Sequence, residues 1–170
     1  MKKFLSIGLV LSLIAAFSPC SSKPDDLPVS QNASATKSIS VIAAAGNTTS
    51  SEITFNLSDF AALSQYAKWV ESALVQTTSA ISVGGVTSGQ VVELTNVKLS
   101  LKSNSKANLD LPTITANTSF KELPQLNFLQ KVLDEVVNKG TSTVVLTYRA
   151  TNDITTSVTF SMKIDGKFSF

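Results

Sequence analysis

Val144-Val145-Leu146-Thr147-Tyr148-Arg149-Ala150 and, beyond Asn152-Asp153, Val158-Thr159-Phe160-Ser161-Met162-Lys163-Ile164 decide how this chain folds. Val144, Leu146, Tyr148 and Ala150 share one parity, and so do Val158, Phe160, Met162 and Ile164, while Thr, Ser, Lys and Arg occupy most of the other. A two-residue period marks strands with one packed and one wet face, and the Asn152-Asp153 break predicts that they pair as a hairpin. Phe168 and Phe170 keep the parity, so the last strand should run nearly to residue 170.

Immediately before this pair, Leu129, Val132, Leu133, Val136 and Val137 follow i, i+3, i+4, i+7, i+8 spacing, with Gly140 as a stop and Pro124 just ahead. This predicts an amphipathic helix over 126–138. Further back, Leu109 to Thr115 reads as a strand made an edge candidate by Pro112. In the run Gln90 to Lys102, Val92 and Leu94 lie on one parity and Val97, Leu99 and Leu101 on the other. A bulge or bend near Asn96 is required, since otherwise half the apolar set would face water.

The first half carries strand signals at Ile39–Ile42, at Glu52–Leu57 and at Ala80–Val83, the last followed by a Gly84-Gly85 turn. Phe60, Leu63, Ala67, Val70 and Leu74 step by three and four residues, which predicts a second helix over 59–75 capped by Ser58 or Asp59. Ser and Thr supply 43 of the 170 residues, a composition suited to the wet faces of antiparallel sheets. The expected fold class is α+β: a mainly antiparallel β-sheet or sandwich of six or seven strands, with two amphipathic helices packed on one face.

The N-terminus reads differently. Lys2 and Lys3 precede a short apolar stretch, Phe4 to Phe17, so residues 1–19 are expected to be a secretory signal peptide. Phe17-Ser18-Pro19-Cys20 resembles the lipobox of bacterial lipoproteins, which implies cleavage before Cys20 and acylation of its thiol. Phe17 and Pro19 depart from the residues usual in that motif. Lys23 followed by Asp25 and Asp26 resembles the acidic tags that carry some lipoproteins to the outer face of the outer membrane. Polar residues 20–37 are expected to be the lipidated cysteine and a flexible tether, and residues 38–170 a single domain. The implied location is the outer membrane, lipid-anchored, at the periplasmic face or the cell surface, with secretion as the alternative.

Composition excludes several function classes. The chain has no histidine and a single cysteine, which removes His-based acid/base chemistry, His/Cys zinc sites and an intrachain disulfide. Without Lys2 and Lys3 it carries 12 basic and 12 acidic residues, too balanced for a nucleic-acid footprint. Ser103-Asn104-Ser105-Lys106 and Ser34-Ala35-Thr36-Lys37 match the S-x-x-K spacing of lysine-activated serine hydrolases, but that spacing arises by chance in a chain so rich in serine and lysine. Asp134 and Glu135 read as solvated helix charge. Glu93 and Asp110 would form a carboxylate pair only if their strands bring them together. Asn104, Asn108 and Asp110 read as turn residues rather than metal ligands.

By subtraction, the sequence points to a non-catalytic cell-envelope lipoprotein, a binding or structural module with no cofactor. It is held to the membrane by its lipid and contacts an unknown protein, glycan or apolar ligand through loops such as 84–89 and 103–108. The alternatives are a carrier enclosing an apolar ligand between helices and sheet, and a hydrolase using serine or carboxylates such as Ser103 or Glu93.

Overall fold

The computed structural model describes residue 23 and residues 25–86 and 91–170. Nine strands and one α-helix follow in the order β1 (Ser30–Ala43), β2 (Thr48–Asn56), β3 (Ser72–Val75), β4 (Ala80–Gly84), β5 (Leu94–Leu101), β6 (Asn104–Asp110), β7 (Thr118–Phe120), α1 (Leu123–Lys139), β8 (Thr141–Ala150) and β9 (Ile154–Ser169). All pairings are antiparallel. One sheet has the order β1-β9-β4-β7, with β3 also paired to β9, and the other β2-β8-β5-β6.

The alternation of β8 and β9 holds: Val144, Leu146, Tyr148, Ala150, Val158, Phe160, Met162, Ile164 and Phe168 are all buried. The hairpin does not form. β8 is central to one sheet and β9 to the other, and residues 151–153 carry the chain across the core between them. A two-residue period reports that one face is buried; it does not distinguish a ladder neighbour from a strand facing across the core. β1 and β2 are split between the sheets in the same way, and the two corners dock, with the Gly46 amide donating to the Ala150 carbonyl at 2.8 Å.

β1 begins at Ser30, eight residues ahead of the domain start expected at Ser38, so residues 30–37 are sheet rather than tether. Ser, Thr, Asn and Ala give little hydrophobic signal, yet the segment is held along its length by β9, from Ser30 opposite Ser169 to Ala43 opposite Ile154. Its inward residues Ala33 and Ala35 are small and buried.

The helix expected over 59–75 is absent. Three short 3-10 turns (Leu57–Asp59, Ala61–Leu63, Ala67–Trp69) lead into β3. Only Phe60 and Leu63 of the apolar stripe are buried; Leu74 is 66% exposed while its neighbour Ala73 faces the core. Strand pairing wins here because the second edge of β9 beyond β4 needs a partner, and Ser72–Val75 supplies it opposite Gly166–Ser169. Among the described residues there are therefore nine strands rather than six or seven, and one α-helix rather than two.

That helix starts three residues before the expected 126 and ends at Lys139 with Gly140 left-handed, φ 79°, its amide bonded to the Val136 carbonyl at 2.8 Å. Phe128, Leu129, Val132, Leu133 and Val136 are buried. Each such side chain contributes about 1.5–3 kcal/mol on leaving water. Rather than lying on an outer face, α1 packs against β3, β4 and β9 of one sheet and β6 and β8 of the other. Asn96 adopts φ 51° where the β5 register shifts between Thr95 and Lys98, which is the bulge that the parity switch required.

Candidate functional site

Two surfaces gather the polar residues and loops. The first is the end of the domain where the two sheets are joined by corners. There the Ala45 amide donates to Asp153 Oδ1 at 2.8 Å, and the Thr151 hydroxyl donates to Glu93 Oε2 at 2.8 Å. The Asn152 side-chain amide donates to the Val91 carbonyl. Asn117 clamps the turn after β4 by accepting from the Val86 amide at 2.9 Å and donating to the Val86 carbonyl at 3.0 Å. Ile42 and Val91 are the exposed large apolar side chains of this end, at 68% and 75%. Hydrogen bonds thus cross-brace these loops, giving a preorganised contact surface.

The second surface is a groove of about 470 Å³ between α1 and the β5–β6 hairpin, lined by Ser103, Lys106, Lys131, Glu135, Asn138 and Lys139 among others. Glu135 is its chemical centre. Its carboxylate accepts from Ser142 Oγ at 2.7 Å and from Lys139 Nζ at 2.6 Å, and Ser103 lines the same groove. Burial alone would raise its pKa, but the neighbouring donors Lys139, Ser103 and Ser142, with the Lys139 charge, outweigh burial and hold the carboxyl below its ordinary value. A carboxylate stabilised in this way is a weaker base than a free one, so the Ser103 hydroxyl is oriented rather than activated. Glu135 is therefore not the solvated charge expected from sequence: it is buried, and its periodicity beside Val132 and Val136 is the signal that it faces inward.

Outside these two surfaces, a second buried carboxylate lies on the outer face of the β1/β9 sheet. Asp165 accepts from Ser34 Oγ at 2.6 Å and pairs with Lys163 at 2.8 Å, under the turn between β3 and β4. Burial again acts first to raise its pKa, and hydrogen bonds from Lys163, Ser34 and Thr78 reverse the sign.

The residues singled out by sequence fall as follows. Cys20 and residues 87–90 lie outside the described residues. Lys23 is ion-paired with Glu71, and Asp25 and Asp26 are exposed. The described part of loop 84–89, Gly84 to Val86, approaches the corner end, whereas residues 102–103 turn at the opposite end of the other sheet. Moreover, 104–108 is not a loop but part of edge strand β6, and of the strand expected over 109–115 only Leu109 and Asp110 belong to it. Ile114 makes a single bridge to Leu94. Ser34 and Lys37 part company, the first to Asp165 and the second to Asp59 at 2.7 Å. Glu93 and Asp110 are not brought together either: Glu93 bonds Thr151, and Asp110 lies by Lys98 at 3.7 Å. Asn104, Asn108 and Asp110 are thus strand rather than turn residues; Asn104 accepts from the Lys106 amide and Asn108 donates to the Ser105 and Lys106 carbonyls within the part of β6 where its register on β5 shifts.

Among the described residues no three His, Cys, Asp or Glu side chains converge as a metal site, and no helix is long and apolar enough to cross a membrane. No protein-family model matches the chain, and no curated protein matches it.

Proposed function

We propose that this protein is a lipid-anchored module of the bacterial cell envelope that holds a rigid loop surface away from the membrane to contact a partner there. The observation that carries this reading is the polarity of β1. Residue 30, next after the segment that leads back to Cys20, is at one end of the strand, and the cross-braced corners are at the other. Fourteen residues of strand separate the two by roughly 40–45 Å. With β1 starting at Ser30, the leash shrinks to residues 20–29, and the domain stands closer to its anchor than a tether ending at 37 would allow.

The partner is a protein or glycan rather than an apolar ligand in this reading. The volume available beside α1 is the open, lysine- and carboxylate-lined groove, while the helix face toward the sheets is filled by Phe128, Leu129, Val132, Leu133 and Val136.

Mass spectrometry of the protein purified from membranes tests the anchor: acyl chains on Cys20 are expected, and Cys20→Ser should release the protein from the membrane fraction. A native Cys20 found unmodified would overturn the proposal.

A further inference from the structure

The end of the domain nearest the anchor carries a surface of a different kind. The sequence has a single tryptophan, Trp69, and it is only partly buried, whereas Phe55, Phe60, Phe128, Phe160, Phe168 and Tyr148 are all buried. Beside it Tyr66 stacks edge-on against Phe170 at 5.6 Å, and Lys68 Nζ sits 4.2 Å from the Trp69 ring. Leu74 is 66% exposed and Val29, just before β1, is 88% exposed.

These residues meet only at the end of β9, Leu74 beside Lys167 on the outer face of the sheet and Phe170 in step with the inward Phe168. Ser30 and Ser72 both pair with Ser169, one on each side, and the Glu71 amide donates to the Ser169 carbonyl at 2.9 Å. Lys23 is ion-paired with Glu71, so the chain that continues back to Cys20 leaves from this surface. Lys23 is three residue steps from Cys20, a reach of about 10 Å.

Resting on the anchored reading above, we propose that Tyr66, Trp69, Leu74 and Phe170, with Val29, form a membrane-docking surface that lies in the headgroup region of the bilayer receiving the N-terminal segment. The chemistry fits that occupant. Tryptophan and tyrosine carry an apolar ring with a polar edge and concentrate at the boundary between headgroups and acyl chains. Lys68 and Lys167, the latter opposite Leu74 in the ladder, supply ammonium groups at the level of the phosphates. Docking on this surface turns the corner end outward, so the lipid fixes the orientation of the domain as well as its location.

The single tryptophan makes the surface directly readable. Full-length protein purified from membranes is reconstituted into phosphatidylethanolamine/phosphatidylglycerol vesicles, with and without brominated acyl chains. Trp69 emission is expected to shift to the blue and to be quenched by the bromolipid. Leu74→Asp, an exposed change that sets a carboxylate opposite Lys167, is expected to remove both effects while leaving the circular dichroism unchanged. Emission that bromolipid does not quench overturns the docking, including the case of a blue shift without quenching, which reports a second protein chain over Trp69. Quenching that persists in the Leu74→Asp protein overturns it too. The acylation state of Cys20 in the same sample separates the two proposals: an acylated protein with unquenched Trp69 keeps the anchor and loses the docking surface, and an unacylated protein with quenched Trp69 does the reverse.

Discussion

Ser79 repairs a gap in the ladder of β9 by bonding the main chain of Asp165 twice. Its hydroxyl accepts from the Asp165 amide at 2.9 Å and donates to the Asp165 carbonyl at 3.1 Å. The gap arises because β3 pairs with β9 only up to Gly166 and β4 only from Lys163, leaving the main chain of Asp165 without a strand partner on that edge. The Gln76 amide also reaches the carbonyl, at 2.7 Å, but the amide proton depends on Ser79, which is fully buried. Ser79→Ala should therefore cost about 1–3 kcal/mol, the penalty for an orphaned buried donor. Urea denaturation checks this; an unchanged midpoint would show that water or a relaxed turn replaces the hydroxyl.

Asn96 is the sharpest test of what the sequence makes legible. Its left-handed φ of 51° is where β5 changes the face it buries, from Leu94 to Val97. Asparagine tolerates that conformation and alanine does not, so Asn96→Ala is expected to destabilise by about 1 kcal/mol, with Asn96→Gly neutral or slightly stabilising. Equal losses in the two variants would assign the role to the side-chain amide instead of the backbone.

The bulge was readable because a parity switch has only one physical remedy. The stripe from Phe60 to Leu74 was not, because helical spacing over five positions says nothing about the strand edge waiting on β9, and that edge claimed Ser72–Val75. Ser30–Lys37 escaped for the opposite reason: a polar strand with alanines inside is specified by its partner and hardly at all by itself. The groove around Glu135 was half legible. Ser103, Lys106 and Glu135 each drew attention, but only the packing of α1 against both sheets puts Ser103 beside the carboxylate.

Three carboxylates make acid stability predictable in sign. Asp59, Glu135 and Asp165 all have pKa values lowered in the fold: burial, the largest single influence, opposes ionisation, and donors including Lys37 and the Asn56 amide, Lys139, and Lys163 respectively outweigh it. The native state thus binds fewer protons than the unfolded chain in that range. Stability is fully present above the ordinary carboxylate values of about 4 and is lost as pH falls through them toward the lowered values. Glu135→Gln and Asp165→Asn should each reduce stability at neutral pH and flatten its decline toward pH ~2.5, as read from urea midpoints across the titration. A decline just as steep in both variants would place the acid sensitivity elsewhere.

Gly166 governs how closely α1 approaches β9. A Cβ at this position would lie 2.8 Å from Phe168 Cε2 and 3.2 Å from Leu133 Cδ2, against a ring and a helix side chain that are both fully buried. Neither can yield without disturbing its neighbours, since Phe168 also stacks edge-on with Phe60 at 5.0 Å. Overpacking of this kind costs about 1–3 kcal/mol. Because Gly166 is paired with Ala33 in β1 and Val75 in β3, the strain would be delivered to the end of the sheet that carries Tyr66, Trp69 and Phe170. Gly166→Ala is therefore expected to lower the thermal midpoint and also to alter Trp69 emission in the folded protein. A variant that loses stability with Trp69 emission unchanged would show that the β9 end gives way toward α1 alone, and one that keeps full stability would mean that Leu133 repacks without cost.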